Sequence, residues 1–558
     1  MNDHNPSELG PVFQGILWGE PRGAFDNPAG QSLLKIYQHG VGNELTNKLV
    51  HDLVHPLKIQ ELFGRLPPFL KPRFRGGEIT VKTLTGEWLK FGVAGLGKHI
   101  LLPGSTGAGK SSLLINWSLQ FAFWQITTWF FEFSKFQFRH LVPLFALLRR
   151  QLIVLRKETI KVNPLQAGRC NLRAHQAMIT DQLLHVLEVP GERSRSLLTQ
   201  ALNDLYGKFG NWTGNQDQWP VLPDVYQWFY DRSGANPAAR QAMLDRLAAL
   251  IPDLGRFYRL GWHPIDLGRE SLVWELSKFP GKARQLVVGP VLFSLMQYEY
   301  EHGAFNLPFH HCIFCDDSQW LFHGRENGGH SPVLELIETI RGCGRSLGFS
   351  LQTGSELPRR FTGNCNARIA GILNTHADWA TLGADMGMTP EQIQWAKMNL
   401  RPGWFIAQLA DSDWRHPFPF RIEEPKLPQV VSDLDAQATV KALSHLPVEP
   451  ATEYDDWKPH HLVELSATAA PAMSPLTAAE LRYVKAVMAQ PGQPSRGYAK
   501  AAGLSGTEAK AIRERLVRAG FLREHLVVTG KRGRAAQILE PLPAALEAVA
   551  HMTERSNP

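Results

Sequence analysis

Cysteine is scarce in this chain: five in 558 residues, at positions 170, 312, 315, 343 and 365. An odd and sparse set excludes a disulfide-stapled secreted scaffold and fits a reducing compartment, so the cytoplasm is the expected location. The amino terminus, MNDHNPSEL, lacks a basic flank followed by an apolar stretch, and no signal peptide or amino-terminal membrane anchor is expected. Long apolar runs are also lacking. The most suspicious uncharged stretch, Ser111 to Phe131, has 21 residues but carries Asn116, Gln120, Gln125, Thr127 and Thr128, and reads as buried helix plus strand rather than an integral membrane segment. No internal repeat is visible. Cys312 and Cys315 form a CxxC beside His310 and His311, but a second ligand pair is missing and the run HHCIFCDD reads as a buried strand ending in carboxylates.

With 20% charged and 44% hydrophobic residues the composition is that of a globular chain, long enough for two or more domains. The net charge of +7 is modest, and its placement is uneven. Pro475 to Ala535 holds twelve Lys or Arg against four Asp or Glu, whereas Glu423 to Ser474 holds three against nine and is punctuated by six prolines. The second segment reads as a loosely packed acidic connector and the first as a separate basic module.

Lys98 to Trp117, KHILLPGSTGAGKSSLLINW, is an apolar strand, then G-x-x-x-x-G-K-S, then an apolar helix. Gly104, Gly107 and Gly109 admit backbone angles closed to other residues, and the N–H groups of Gly104, Ser105, Thr106, Gly107, Ala108, Gly109, Lys110, Ser111 and Ser112 are candidates to cradle phosphate oxygens at a helix amino terminus. Lys110 supplies a charge for the β and γ phosphates, and the Ser111 hydroxyl suits Mg2+, so ATP and Mg2+ are the expected ligands.

Such a loop needs a carboxylate at the end of another strand for the metal and, in hydrolysing enzymes, one for the attacking water. CIFCDD, Cys312 to Asp317, offers Asp316 for the first and Asp317 for the second. Further strand-like runs are ITVKTLTGEWLKFGVA (a hairpin, 79–94), FFEFSKF (130–136), RQLIVLR (150–156), SLVWEL (271–276), GFSLQTGS (348–355), ARIAGIL (367–373) and GWFIAQLA (403–410), alternating with helical stretches such as SPVLELIETIRG (331–342). Arg193 to Gly255 is mostly helical in period. The predicted fold is α/β, a mainly parallel sheet with an all-α insertion.

From Lys98 to Ile422 the chain resembles the FtsK/HerA superfamily of DNA translocases, in the branch of HerA-like helicases and conjugative coupling proteins. The residues that carry the resemblance are the phosphate loop, FEFSK, VNPL at Val162 to Leu165, SLVWEL, the acidic pair and GRSLGFSLQTGSEL. It implies a RecA-like ATPase domain, a homo-hexameric ring threading double-stranded DNA, and an arginine acting in trans, for which the G-R-x-x-G context suggests Arg345, with Arg341 second. It also admits an ATPase that energises conjugation or secretion beside a membrane channel or relaxase, or an ATP-gated DNA-binding switch. Two departures stand out: Asp316-Asp317 replaces the family's Asp-Glu, and Glu356 stands where a polar sensor glutamine is usual, with Gln352 four residues away. Residues 1–90 suit neither a HerA-type barrel nor a membrane anchor.

The expected organisation is thus 1–90 of unclear role, 91–424 ATPase domain with an insertion at about 170–265, 425–474 linker and 475–545 a winged helix. Thr477 with Glu480 and Ser505 with Glu508 are capping boxes for its first and third helices. Lys510, Arg513, Arg515 and Arg518 on the third helix and Lys531, Arg532 and Arg534 on the wing are the candidate DNA contacts.

Overall fold

A computed structural model describes residues 11–39, 43–64, 77–189, 191–232, 237–303, 307–322, 340–353, 359–409, 415–427, 430–459, 476–489, 495–518, 522–528 and 535–541. The chain divides into two compact units, Met1–Asp456 and Trp457–Pro558.

Apolar runs buried on both faces build the centre of the first unit. Its strands are β1 (Glu78–Lys82), β2 (Trp88–Gly92), β3 (Ile100–Pro103), β4 (Thr127–Glu132), β5 (Leu152–Arg156), β6 (Tyr258–Leu260), β7 (Ser271–Glu275), β8 (His311–Asp316), β9 (Arg345–Leu351), β10 (Ala367–Ala370), β11 (Trp404–Gln408), β12 (Phe418–Arg421) and β13 (Glu449–Pro450). Eleven of them form one sheet in the order β2-β1-β12-β11-β10-β3-β9-β8-β4-β7-β5. From β10 to β5 every pairing is parallel, and from β10 to β2 every pairing is antiparallel. The parallel strands β3, β4, β5, β7, β8 and β9 are buried at every position, which is why they read as continuous apolar runs. In contrast, β1 alternates along its length, as a strand with one wetted face does.

The phosphate-loop strand β3 lies between β10 and β9, so one strand separates it from the acid-bearing β8. This mainly parallel α/β sheet has the RecA-like arrangement expected, with its crevice at the carboxyl ends of the central strands. Between β5 and β7 the chain forms the helices Leu172–Leu187, Glu192–Lys208, Leu222–Asp231 and Pro237–Leu254, which bury Leu183, Leu198, Leu202, Tyr226 and Leu247.

Two boundaries differ from the sequence expectation. Position 90 falls inside β2, and the β1–β2 hairpin is an integral edge of the sheet. The helices Pro11–Gly19, Pro28–Gln38 and Glu44–Phe63 precede it and share a core of Ile16, Phe25, Leu33, Val50 and Val54. The acidic connector, moreover, is a packed strap from Val431 to Tyr454. The helix Asp433–Thr439 lies against β5, Val431 and Ala436 join the main core, and β13 pairs with β6. Its acids find buried cations: Asp433 bonds Arg139 (2.6 Å) and Arg156 (2.8 Å), and Glu453 bonds Arg259. Acidic charge and proline punctuation suggested a linker because charge counts along the sequence do not show these partners. The predicted helix 331–342 falls mostly outside the described residues.

In the second unit the helices Ala478–Ala489, Ser495–Ala501 and Gly506–Arg518 are followed by β14 (Leu522–Val528) and β15 (Ala535–Pro541), an antiparallel pair. Tyr483, Val484, Val487, Tyr498, Leu516, Leu522 and Leu539 form its core. Both capping boxes are present, with Glu480 N–H donating to the Thr477 hydroxyl (3.3 Å) and Glu508 N–H to that of Ser505 (3.3 Å).

Candidate nucleotide site and basic module

The loop after β3 is anchored to both neighbouring strands: Gly104 N–H donates to Leu351 O (3.0 Å) and Ser105 N–H to Ile372 O (2.6 Å). Gly107 and Gly109 have φ of +83° and +92°, where glycine is favoured. A Cβ on Gly109 would also lie 2.7 Å from Gly403 N, whose N–H bonds Ala108 O at 3.0 Å. Gly104 does not need a positive φ; its small size matters because a Cβ there would sit 3.3 Å from that of Ala108. The helix Lys110–Phe123 then starts directly behind the loop, and its first residues, Lys110 to Ser112, line the cleft.

Thr106 to Ser112, Ser134, Lys135, Gln137, Asp316, Asp317 and Gln352 line one cleft of about 650 Å³. Lys110 is folded back, its Nζ donating to Gly104 O and Ser105 O (3.1 Å), and burial lowers its pKa against the opposing pull of the Asp316 and Asp317 charges. Ser111 Oγ donates to Asp316 Oδ2 at 3.5 Å and Gln137 Nε2 to the same oxygen at 3.1 Å. Burial first, and the Asp317 charge second, push the Asp316 carboxyl above its usual range. Asp317 has φ of +52°, and its Oδ2 accepts from the Ser134 hydroxyl. The backbone turn after β8 is held by Ser318, whose N–H donates to Ser350 O at 2.9 Å.

Glu132 at the end of β4 stands in register with Asp316 on one side and Glu275 on the other. It is fully buried and accepts from Gln137 N–H at 2.6 Å, and burial holds its carboxyl well above the usual range. Glu275 is instead neutralised by a bidentate Arg139 (2.5 Å on each arm).

The phosphate loop, Ser111, Asp316 and Asp317 therefore converge as the sequence suggested. Arg345 does not join them. It opens β9 at the opposite end of the sheet, about 20 Å from Leu351 at a strand rise of about 3.3 Å. There it is 5% exposed, donates to Glu299 Oε1 at 2.8 Å and contacts His311 Nδ1. Buried and paired in this way, Arg345 stands in this chain as a structural ion pair, not as a side chain extended for a trans-acting role. The side chain of Arg341 and all of Glu356 lie outside the described residues. Gln352 enters the cleft instead, because β9 ends at Leu351 level with the loop and its next residue falls between β3 and β8. Sequence reading overlooked Ser134, Lys135 and Gln137 as site residues, although FEFSK flagged the strand end. Gln137 carried no signal of its own.

On the third helix of the second unit, Lys510 is exposed, Arg513 is half-buried and Arg515 is exposed with its Nε on the buried Glu480 carboxylate at 3.0 Å. The side chain of Arg518, and Lys531, Arg532 and Arg534 entirely, lie outside the described residues. Among those described, no helix is long and apolar enough to cross a membrane.

Fold and site together define a RecA-like phosphate-loop α/β protein. No family profile and no curated protein matches the chain. Solved structures that it is similar to include VirB4 of Thermoanaerobacter pseudethanolicus, at 15% identity and TM-score 0.49 over 63% of this chain and 97% of that one. The bacterial conjugative coupling protein TrwBdeltaN70 aligns at 14% identity and TM-score 0.41 over 62% and 89%. B204, the DNA-packaging ATPase from Sulfolobus Turreted Icosahedral Virus, aligns at 10% and 0.27 over 59% and 98%.

Proposed function

We propose that the chain is an ATP-hydrolysing motor that translocates double-stranded DNA, working as a ring of identical subunits, with the basic carboxyl-terminal module, a winged helix, holding or guiding the duplex. The observation that carries the reading is the convergence of Lys110, Ser111, Asp316, Asp317 and Gln352 from three separate segments on one cleft.

The donor set suits a hard dication. The Ser111 hydroxyl and the buried Asp316 carboxylate are oxygen ligands on adjacent elements, and an acid that burial disfavours as an anion gains most from a cation. Mg2+, when bound, neutralises phosphate charge. The loop N–H groups and Lys110 bind the β and γ phosphates, which requires Lys110 to exchange its carbonyl partners for phosphate oxygens. Asp317 and Gln352 flank the space beyond the γ phosphate and orient a water. Its oxygen attacks phosphorus, the bond to the β–γ bridging oxygen breaks, and the water's proton passes to the Asp317 carboxylate, leaving ADP and phosphate.

ATP turnover measured with and without duplex DNA tests the reading. Wild type is expected to be stimulated by DNA, and Lys110→Ala to be inactive with either. Turnover indifferent to DNA, or absence of nucleotide uptake by calorimetry, would sink it. A second reading, an ATP-gated DNA-binding switch, is favoured by the engagement of Asp317 with Ser134. It predicts negligible wild-type turnover and a large gain in Asp317→Glu, whose longer side chain reaches further into the cleft.

A further inference from the structure

With Arg345 locked in an ion pair, Lys110 is the one cation so far assigned to the charge that builds on the transferred phosphoryl group. We propose that Lys135 supplies a second, from the same subunit, by contacting the γ-phosphate oxygens of bound ATP. This inference rests on the cleft being an ATPase site.

The backbone around Lys135 is fastened to both acids. Its neighbour Ser134 donates to Asp317, and Gln137, two residues on, donates to Asp316. The same loop is pinned from behind by Glu132, which accepts from Gln137 N–H, and by Arg139, paired with Glu275 and Asp433. Lys135 thus sits on a short segment braced at each end, opposite the phosphate loop, and its exposed side chain lines the cleft with Lys110. Ser111, Ser134 and Gln137 donate hydrogen bonds to the two carboxylates, and the Lys135 charge acts on Asp316 as a lesser influence, after burial and Asp317.

Position on the far wall gives Lys135 a different task from Lys110. Lys110 rises from the floor of the loop, where the β and γ phosphates rest. A cation facing it across the acid pair meets the oxygens that only a third phosphate brings. Such a charge discriminates ATP from ADP in the ground state and strengthens as the γ group loosens toward a metaphosphate-like transition state. Held in the same chain, it acts without a neighbour's side chain. No bond to Lys135 forms or breaks.

The experiment compares wild type, Lys135→Ala, Lys135→Gln and Lys135→Arg in the full-length protein. Titration calorimetry with ADP and with a slowly hydrolysed ATP analogue is run beside steady-state turnover. In the alanine and glutamine variants, kcat is expected to fall on the order of 10²-fold, the loss typical of a missing preorganised charge donor. The preference for the analogue over ADP should shrink while ADP affinity holds, and arginine should restore part of both. Unchanged kcat and unchanged preference in a wild type that hydrolyses ATP would overturn the assignment of Lys135 alone. Loss confined to DNA stimulation, with basal turnover intact, would also overturn it and make Lys135 a DNA contact. A wild type that takes up no nucleotide would remove both this inference and the reading beneath it.

Discussion

Arg345 and Glu299 form an ion pair, Nη2 to Oε1 2.8 Å, in which the two side chains are only 6% and 16% exposed. Removing one partner strands the other charge in the interior. Arg345→Ala should therefore cost about 3–5 kcal/mol of stability, read as a lower denaturant midpoint, whereas a trans-acting arginine would cost turnover and leave the midpoint in place. An Arg345→Ala protein of normal stability and no activity would return this residue to the nucleotide.

Asp317 is held by Ser134 in a left-handed conformation that puts its carboxylate on the cleft wall. Asp317→Ala should bind ATP normally and lose roughly 10²- to 10⁴-fold in turnover, the range for a missing general base. Ser134→Ala removes only the orienting hydroxyl, and its loss should be clearly smaller. Single-turnover kinetics separate the two, and equal losses would place the catalytic weight on Ser134 instead.

The strap predicts where the first unit can be cut. A fragment ending at Asp456 retains the Arg139–Asp433, Arg259–Glu453 and Tyr454–Asp224 contacts and should unfold as one transition. Ending at Glu424 would delete Val431, Ala436, Leu443 and Ala451, which are now buried, and uncover the surface they cover. That shorter fragment should melt lower and be cleaved faster by protease. Equal melting of the two would mean the strap is passive.

Acid should loosen the docking of the amino-terminal helices. His55 stacks on Trp395 (5.8 Å) and His51 (4.7 Å), and burial, with His51, Arg401 and Lys58 beside it, lowers its pKa to about 4. The folded chain refuses a proton that the unfolded chain accepts, so this contribution is whole above the ordinary value near 6.5 and is lost as pH falls toward about 4. His55→Phe keeps a ring against Trp395 and cannot be protonated. Its melting temperature should drop less between pH 7 and pH 5 than that of wild type, with pH values chosen inside that window. Parallel drops would exclude His55 as the sensor.

In the basic module, Lys510 is exposed on the third helix, whereas Arg515 shares its guanidinium with the buried Glu480. Lys510→Ala should weaken duplex binding and lower the slope of log affinity against log salt by about one, as loss of one phosphate contact does. Arg515→Ala should additionally destabilise the module. A salt slope unchanged in Lys510→Ala would take this helix off the DNA.

Local signals were legible wherever the backbone itself demands them. The GSTGAGKS loop, the apolar runs of β3, β4 and β8 and the two capping boxes each depend on residues within a few positions of one another. The acids closing β8 could be read for the same reason. The strap could not, since Asp433 gains its meaning from Arg139 and Arg156, almost 300 residues earlier. The ion pair of Arg345 was not legible either, because G-R-x-x-G describes a context along the chain and says nothing of Glu299.

What the amino-acid order determined alone was the phosphate loop, the alternation that makes a parallel sheet, and the identity of the paired aspartates. Only the folded sheet decided which side chains meet there. By inserting β9 between β3 and β8 it delivered Gln352 and kept Arg345 away, and by setting β4 beside β8 it laid the Ser134–Gln137 loop over the acids. Chain-local patterns encode backbone geometry, whereas the order of strands is chosen by how all the apolar faces are buried at once.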